Sequence, residues 1–166
     1  MAHKKGYFTE LFNSKNIKKN GKNYKINIDF GDLGRRLDQA QMALDAQVWY
    51  DMQKYMPKRE GSGHLRMQTN KLNAQAIGTG EVHVYDPLVE YAHYQYEGEK
   101  YVDPVYRKGA FFSPDYGFWS RKGVKKVPSG EPLHYTNPNA TSHWDETAIA
   151  NHESQWVEVV ERALNG

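Results

Sequence analysis

Imidazole, carboxylate and hydroxyl groups are the side chains that could do chemistry in this sequence, and its seven histidines come first. Imidazole nitrogens bind transition metals and move protons near neutral pH. His3, His64, His83, His93, His134, His143 and His152 are spread from one end of the chain to the other. The metalloprotease spacing, two histidines four apart around a glutamate, is missing, because His152-Glu153 is followed by Ser154-Gln155-Trp156. His134, His143 and Asp145 could share a metal only if the fold brought them together, and scattered histidines more commonly bond to a nearby carbonyl or carboxylate.

Glu90, Glu97, Glu99, Asp103 and Asp115 are the carboxylates that could pair for acid–base work. Glycoside cleavage needs two such groups ~5 to 9.5 Å apart across a cleft. With Lys100 and Arg107 nearby, exposed ion pairing is the ordinary reading. Gly78-Thr79-Gly80 lacks the further glycine and the strand–helix–strand setting of a dinucleotide site, and no glycine-rich turn leads into a phosphate-binding lysine. Ser142 beside His143 carries no weight, since nucleophile and base are matched in space. Cysteine is absent, which excludes disulfides, thiolate catalysis and cysteine-ligated zinc or iron–sulfur centres. The expectation is a protein with no catalytic residue, metal or cofactor.

Interface chemistry is better represented. Aromatics make up 13% of the chain, with 12 tyrosines and 4 tryptophans, too many for a disordered composition. Such rings bury large areas while keeping a polar edge, which suits surfaces shared between core, water and a partner. Tyr106, Phe111, Phe112, Phe118 and Trp119 fall in one stretch punctuated by glycine and proline, followed by Arg121 and Lys122. Exposed rings in a loop pack back on the body or dock into a neighbour, so these seven are the subunit-interface candidates. The net charge of +2 argues against nucleic acid as the main partner. It conceals a basic start: residues 1–25 hold seven lysines, Lys18, Lys19 and Lys22 among them, against the single acid Glu10. These, with Lys125 and Lys126, are candidates for a DNA-facing lumen or a partner contact.

The elements that must position these groups are read from periodicity. Tyr24, Ile26 and Ile28 alternate with polar residues as a short strand, and Asp32 is placed to cap the helix after it. Leu33, Leu37, Ala40, Leu44, Val48 and Met52 recur every three or four residues, an amphipathic helix stopped by Pro57. Gly61-Ser62-Gly63 makes a turn. Leu72, Ala74 and Ala76, then Val82 and Val84, alternate as a β-hairpin about Gly78 and Gly80. Residues 88–97 read as a short helix with Leu88, Tyr91 and Gln95 on one face, ended by Gly98. Residues 98–132 form an irregular insertion with one or two strands and a projecting loop. From Asn139, Thr141 or Ser142 a last helix presents Trp144, Ala148, His152, Trp156, Val159 or Val160, and Ala163 on one face.

The expected fold is α+β. A long N-terminal and a C-terminal helix pack on a small, mainly antiparallel sheet, with Leu37, Leu44, Tyr91, Tyr94, Tyr135, Trp144 and Trp156 as structural residues. Residues 1–23 are expected as a basic flexible arm, and 24–166 as one domain. The start of the chain has no continuous apolar run of the secretory type, and no stretch approaches the ~20 apolar residues that span a bilayer.

Four segments, in order, resemble the minor capsid proteins of tailed phages of Gram-positive bacteria, which are similar to head–tail joining or tail-completion proteins. They are Tyr55-Met56-Pro57 after the long helix, Gly61-Ser62-Gly63-His64-Leu65-Arg66, Tyr91-Ala92-His93-Tyr94-Gln95-Tyr96-Glu97-Gly98, and Leu133-His134-Tyr135-Thr136-Asn137-Pro138-Asn139-Ala140 leading into His143-Trp144. The lysine-rich first 25 residues and the 105–128 segment depart from the pattern. The resemblance implies an α+β subunit of a hexameric neck ring, assembled in the host cytoplasm and ending in the virion. Its neighbours would be a portal, adaptor or stopper ring on one side and tail terminator or tail-tube proteins on the other. Contact with packaged DNA would be non-specific at most, and there is no membrane partner. A tail terminator, another minor capsid component, or a nucleic-acid-binding module are the alternatives.

Overall fold

The leucine and alanine spacing after residue 30 does produce a long helix, and its termini and partner determine the architecture. A computed structural model describes residues 6–13, 17–28, 30–58 and 64–165. Its elements are α1 (Tyr7–Asn13), β1 (Ile17–Asn20), β2 (Lys25–Ile28), α2 (Gly31–Met52), α3 (His64–Ala76), α4 (Ala92–Glu97), β3 (Glu99–Val102), β4 (Phe111–Ser113), β5 (Gly117–Trp119), β6 (Val127–Pro132) and α5 (Trp144–Asn165). The protein is a mixture of helix and small antiparallel sheets. No helix among the described residues is long and apolar enough to cross a membrane.

The two long helices cover each other rather than a shared sheet. Trp156 Nε1 donates to the buried Asp51 Oδ2 at 2.9 Å, Tyr55 Oη meets His152 Nε2 at 3.0 Å, and Arg36 Nη1 donates to the Leu164 carbonyl at 3.1 Å. Each helix thus supplies the apolar layer that the other needs, while the described strands form three separate two-stranded ribbons. At one end of this pair lies the core: Trp49, Met52 and Met56 meet Leu65 of α3, Val89, Ala92 of α4, and Trp144 and Ala148 of α5. Trp144 is fully buried, with Nε1 donating to the Val84 carbonyl at 2.8 Å and Tyr96 edge-on to its ring.

Several expectations are corrected. Residues 64–76 are helical, and no strand runs through Leu72, Ala74 and Ala76. The buried face is Leu65, Thr69, Asn73 and Ala76, a helical spacing that half-polar residues hide. Asn73 explains the polar choice. Its Oδ1 accepts the His83 N–H at 2.7 Å and its Nδ2 donates to the His83 carbonyl at 2.9 Å, so one amide pairs an extended segment as a neighbouring strand would. Thr69 Oγ1 accepts the Asp86 N–H in the same way, at 3.1 Å.

The helix expected over 88–97 is only α4, and its inward face is Val89, Ala92 and Tyr96. Leu88 is 88% exposed and Tyr91 43% exposed. Asp32 lies inside the first turn of α2, where it pairs with Arg35 and Arg36 instead of capping. The boundary drawn at residue 23 divides a hairpin, since β1 pairs with β2 from Ile17–Ile28 to Asn20–Lys25. Ahead of it, α1 lies on α2 with the Asp38 carboxylate accepting the Phe8 and Thr9 N–H groups, both at 2.9 Å. Gly34 permits that crossing, because a Cβ there would sit 2.7 Å from the Phe8 carbonyl oxygen. Gly61-Ser62-Gly63 lies outside the described residues.

Candidate functional site

The irregular segment is two nested hairpins. β3 pairs with β6, and between them β4 pairs with β5 in the register Phe111–Trp119, Phe112–Phe118 and Ser113–Gly117. Alternation across the inner ribbon sorts its rings by face. On one face Phe111 stacks on Trp119 with centroids 4.8 Å apart, and Tyr106 meets Phe111 edge-on at 5.5 Å. On the other, Phe112 and Phe118 sit 5.2 Å apart and remain 65% and 79% exposed, beside Tyr116 at 84%.

What holds this ribbon is Asp103, immediately after β3. Its carboxylate is buried, yet every oxygen has partners. Oδ1 accepts the N–H groups of Val105 at 2.9 Å and Tyr106 at 3.0 Å, the short turn that aspartate favours before a loop. Arg121, from the far side of the inner ribbon, closes a two-pronged pair, Nε to Oδ2 at 2.6 Å and Nη2 to Oδ1 at 2.8 Å. The same guanidinium lies over the Tyr106 ring, 5.0 Å from its centroid. The Arg121 bonds hold the Asp103 carboxyl down at about 2; burial opposes them, and the two backbone N–H groups add to them. Arg121 is raised in turn, chiefly by its bonds to Asp103.

The seven interface candidates therefore divide. Tyr106, Phe111, Trp119 and Arg121 come together in one stacked layer anchored on Asp103, while Phe112 and Phe118 face outward. Lys122 is exposed in the turn after β5. The lysine candidates do not form one patch. Lys18, Lys19 and Lys22 belong to the β1–β2 ribbon, Lys125 is exposed before β6, and Lys126 Nζ donates to the Gly109 carbonyl, bracing the loop.

The structural candidates also differ in depth. Trp144 is buried, Trp156 is half-buried against Asp51, and Leu37 and Leu44 are half-buried along α2. Tyr94 packs on Tyr101 at 4.6 Å, and the Tyr135 hydroxyl donates to the Gln95 carbonyl at 2.6 Å. Sequence reasoning passes over two residues of this segment. Asp103 reads there as an exposed carboxylate near Arg107, whereas its partner stands 18 residues on. The Asp103-Pro104 turn signal is the available clue. Tyr116 reads as one more loop tyrosine, with nothing local to single it out.

Among the described residues no group of three or more histidines and carboxylates is placed to hold a metal ion. The open cleft beside β3 and β6 contains Lys100, Arg107 and Glu131, but Lys100 already pairs with Glu131 at 2.9 Å. His143, backbone φ +44°, stacks on Tyr96 with its ring nitrogens near Glu97 and Glu146. Tyr96 donates to Asp145 at 2.9 Å, and burial first, then that bond, pushes its hydroxyl well above the usual range. These groups tie the start of α5 to α4. No family model, no curated protein and no solved structure matches the chain.

Proposed function

We propose that the chain is a structural subunit of the neck of a tailed phage, one member of a ring that joins the DNA-filled head to the tail. In this reading the α2–α5 pair with its core is the subunit body, and the nested hairpins are the arm that grips a neighbour. The observation that carries it is the outward face of the inner ribbon. Phe112, Tyr116 and Phe118 stand in water on a ribbon that Asp103 and Arg121 hold in shape. Large exposed rings on a braced support resemble the aromatic anchors at the centres of protein interfaces, and bracing lowers the ordering cost of docking. The four-segment resemblance to minor capsid and head–tail joining proteins supplies the assembly. Tail completion or connector is the favoured ring, with portal-side and tail-side rings as neighbours and only non-specific contact with packaged DNA.

The test is a Phe112→Ser, Phe118→Ser double variant. Because both rings are exposed, its melting temperature stays near that of the parent, while joining of heads to tails falls sharply, leaving filled heads and free tails by electron microscopy. Normal joining by a folded variant, or particles whose necks lack the protein, overturns the proposal.

A further inference from the structure

The β1–β2 ribbon is exposed on both faces, with Ile17, Ile26 and Ile28 each 41–49% exposed. Ile17 pairs with Ile28 and Lys19 with Ile26, so Ile17, Lys19, Ile26 and Ile28 share one face, with Lys18, Asn20, Lys25 and Asn27 on the other. Every residue of both strands is exposed. A lone two-stranded ribbon is marginal in water and gains stability when its apolar face packs on something. The isoleucine face carries one cation, Lys19, and Lys22 stands at the tip of the ribbon.

The rest of the chain carries the complementary surface. On α5, Glu146, Ala150, Glu153, Val157 and Glu161 recur at helical spacing on the side away from Trp144, Ala148 and Trp156, and all five are exposed. That stripe has small or branched apolar residues between acids and includes no base. It runs about 22 Å from first to last residue at ~1.5 Å per residue. A four-residue ribbon, about 14 Å long at ~3.4 Å per residue, fits within it.

Resting on the ring reading above, we propose that successive copies join by seating the isoleucine face of one β1–β2 ribbon on the acidic, outward stripe of the next copy's α5. The apolar residues supply the buried centre, and Lys19 and Lys22 meet Glu153 and Glu161. Because the two surfaces differ, each copy has one of each to offer, and the contact repeats head to tail until the rotation closes. Charge complementarity of this kind sets the register and rejects wrong partners.

The absence of cysteine makes the test direct. Ile26→Cys and Val157→Cys are made as separate single variants, mixed, and oxidised. The expected result is a disulfide-linked dimer containing one of each, formed well above a mixture of Ile26→Cys with Lys71→Cys on α3. In parallel, Lys19→Glu with Lys22→Glu in one chain, or Glu153→Lys with Glu161→Lys in another, weakens self-association by roughly tenfold or more. Mixing the two reversed chains restores it. Cross-linking no better than the control overturns the inference, as does association indifferent to both reversals, or a chain that stays monomeric at every concentration tried. A double Ile26→Cys, Val157→Cys chain that closes only within itself also overturns it. Failure of the two readings is separable: mixed dimers from a protein missing from the neck sink the neck role, and neck rings without mixed dimers sink this contact.

Discussion

Asp103 titrates on behalf of a whole loop. Its folded carboxyl sits near pH 2, below the ~3.9 of an unpaired aspartate. A depressed carboxylate contributes stability that is full above the unfolded value and is lost as pH falls through the folded one. The inner ribbon therefore holds at neutral pH and loosens between about pH 4 and pH 2. The Trp119 indole N–H resonance should report that midpoint, and Arg121→Met should move it upward. Trp144 makes the opposite kind of contribution, through volume and one hydrogen bond. Trp144→Ala should cost about 3–5 kcal/mol in denaturant unfolding. Trp144 and Trp156 are legible in the sequence because a tryptophan on a helical stripe has few places to go but inward. Asp103 is not, because its pairing partner is distant in sequence and aspartates near lysine and arginine are ordinarily solvated.

Among the elements, α2, α5 and the strand at residues 25–28 can be read from period alone, since their apolar residues repeat over several turns or strictly alternate. α3 cannot. Its buried side chains Thr69 and Asn73 are polar, and they face inward because they serve the backbone of residues 83–86. Gly98 is legible as a stop and has a second duty. It ends α4 at φ +70°, and a Cβ there would come 2.5 Å from Ser142 Cβ, just ahead of α5. Gly98→Ala therefore strains the backbone and pushes α5 from α4. It should cost more than about 1 kcal/mol, measured as a lowered melting temperature. The aromatic cluster of residues 106–119 is visible as a group, but its division into a braced inner layer and a wet outer one requires the strand register.

For the whole molecule, the described ribbons differ in how much of the body supports them. β3–β6 runs out of α4 and carries the inner ribbon between its strands, whereas every residue of the β1–β2 strands is exposed. Amide exchange should track that order: fast through residues 17–28 in the free subunit, slower in 99–102, and slow in 17–28 once subunits associate. Fast exchange persisting in self-associated protein would count against the contact proposed for that ribbon.

The pairing of α2 with α5 has a consequence for synthesis. Asp51 and Trp156 are separated by 105 positions, and Arg36 and the Leu164 carbonyl by 128. Until the ribosome has released α5, the flank of α2 that α5 covers stays open, and the core around Trp49, Met52 and Met56 lacks Trp144 and Ala148. The nascent chain is thus committed to a late, long-range closure, which is slow because distant segments must find each other before any reward. Messages truncated before codon 144 should yield chains that chaperones hold and proteases clear, so the supply of folded protein depends on completing the last 22 residues of helix.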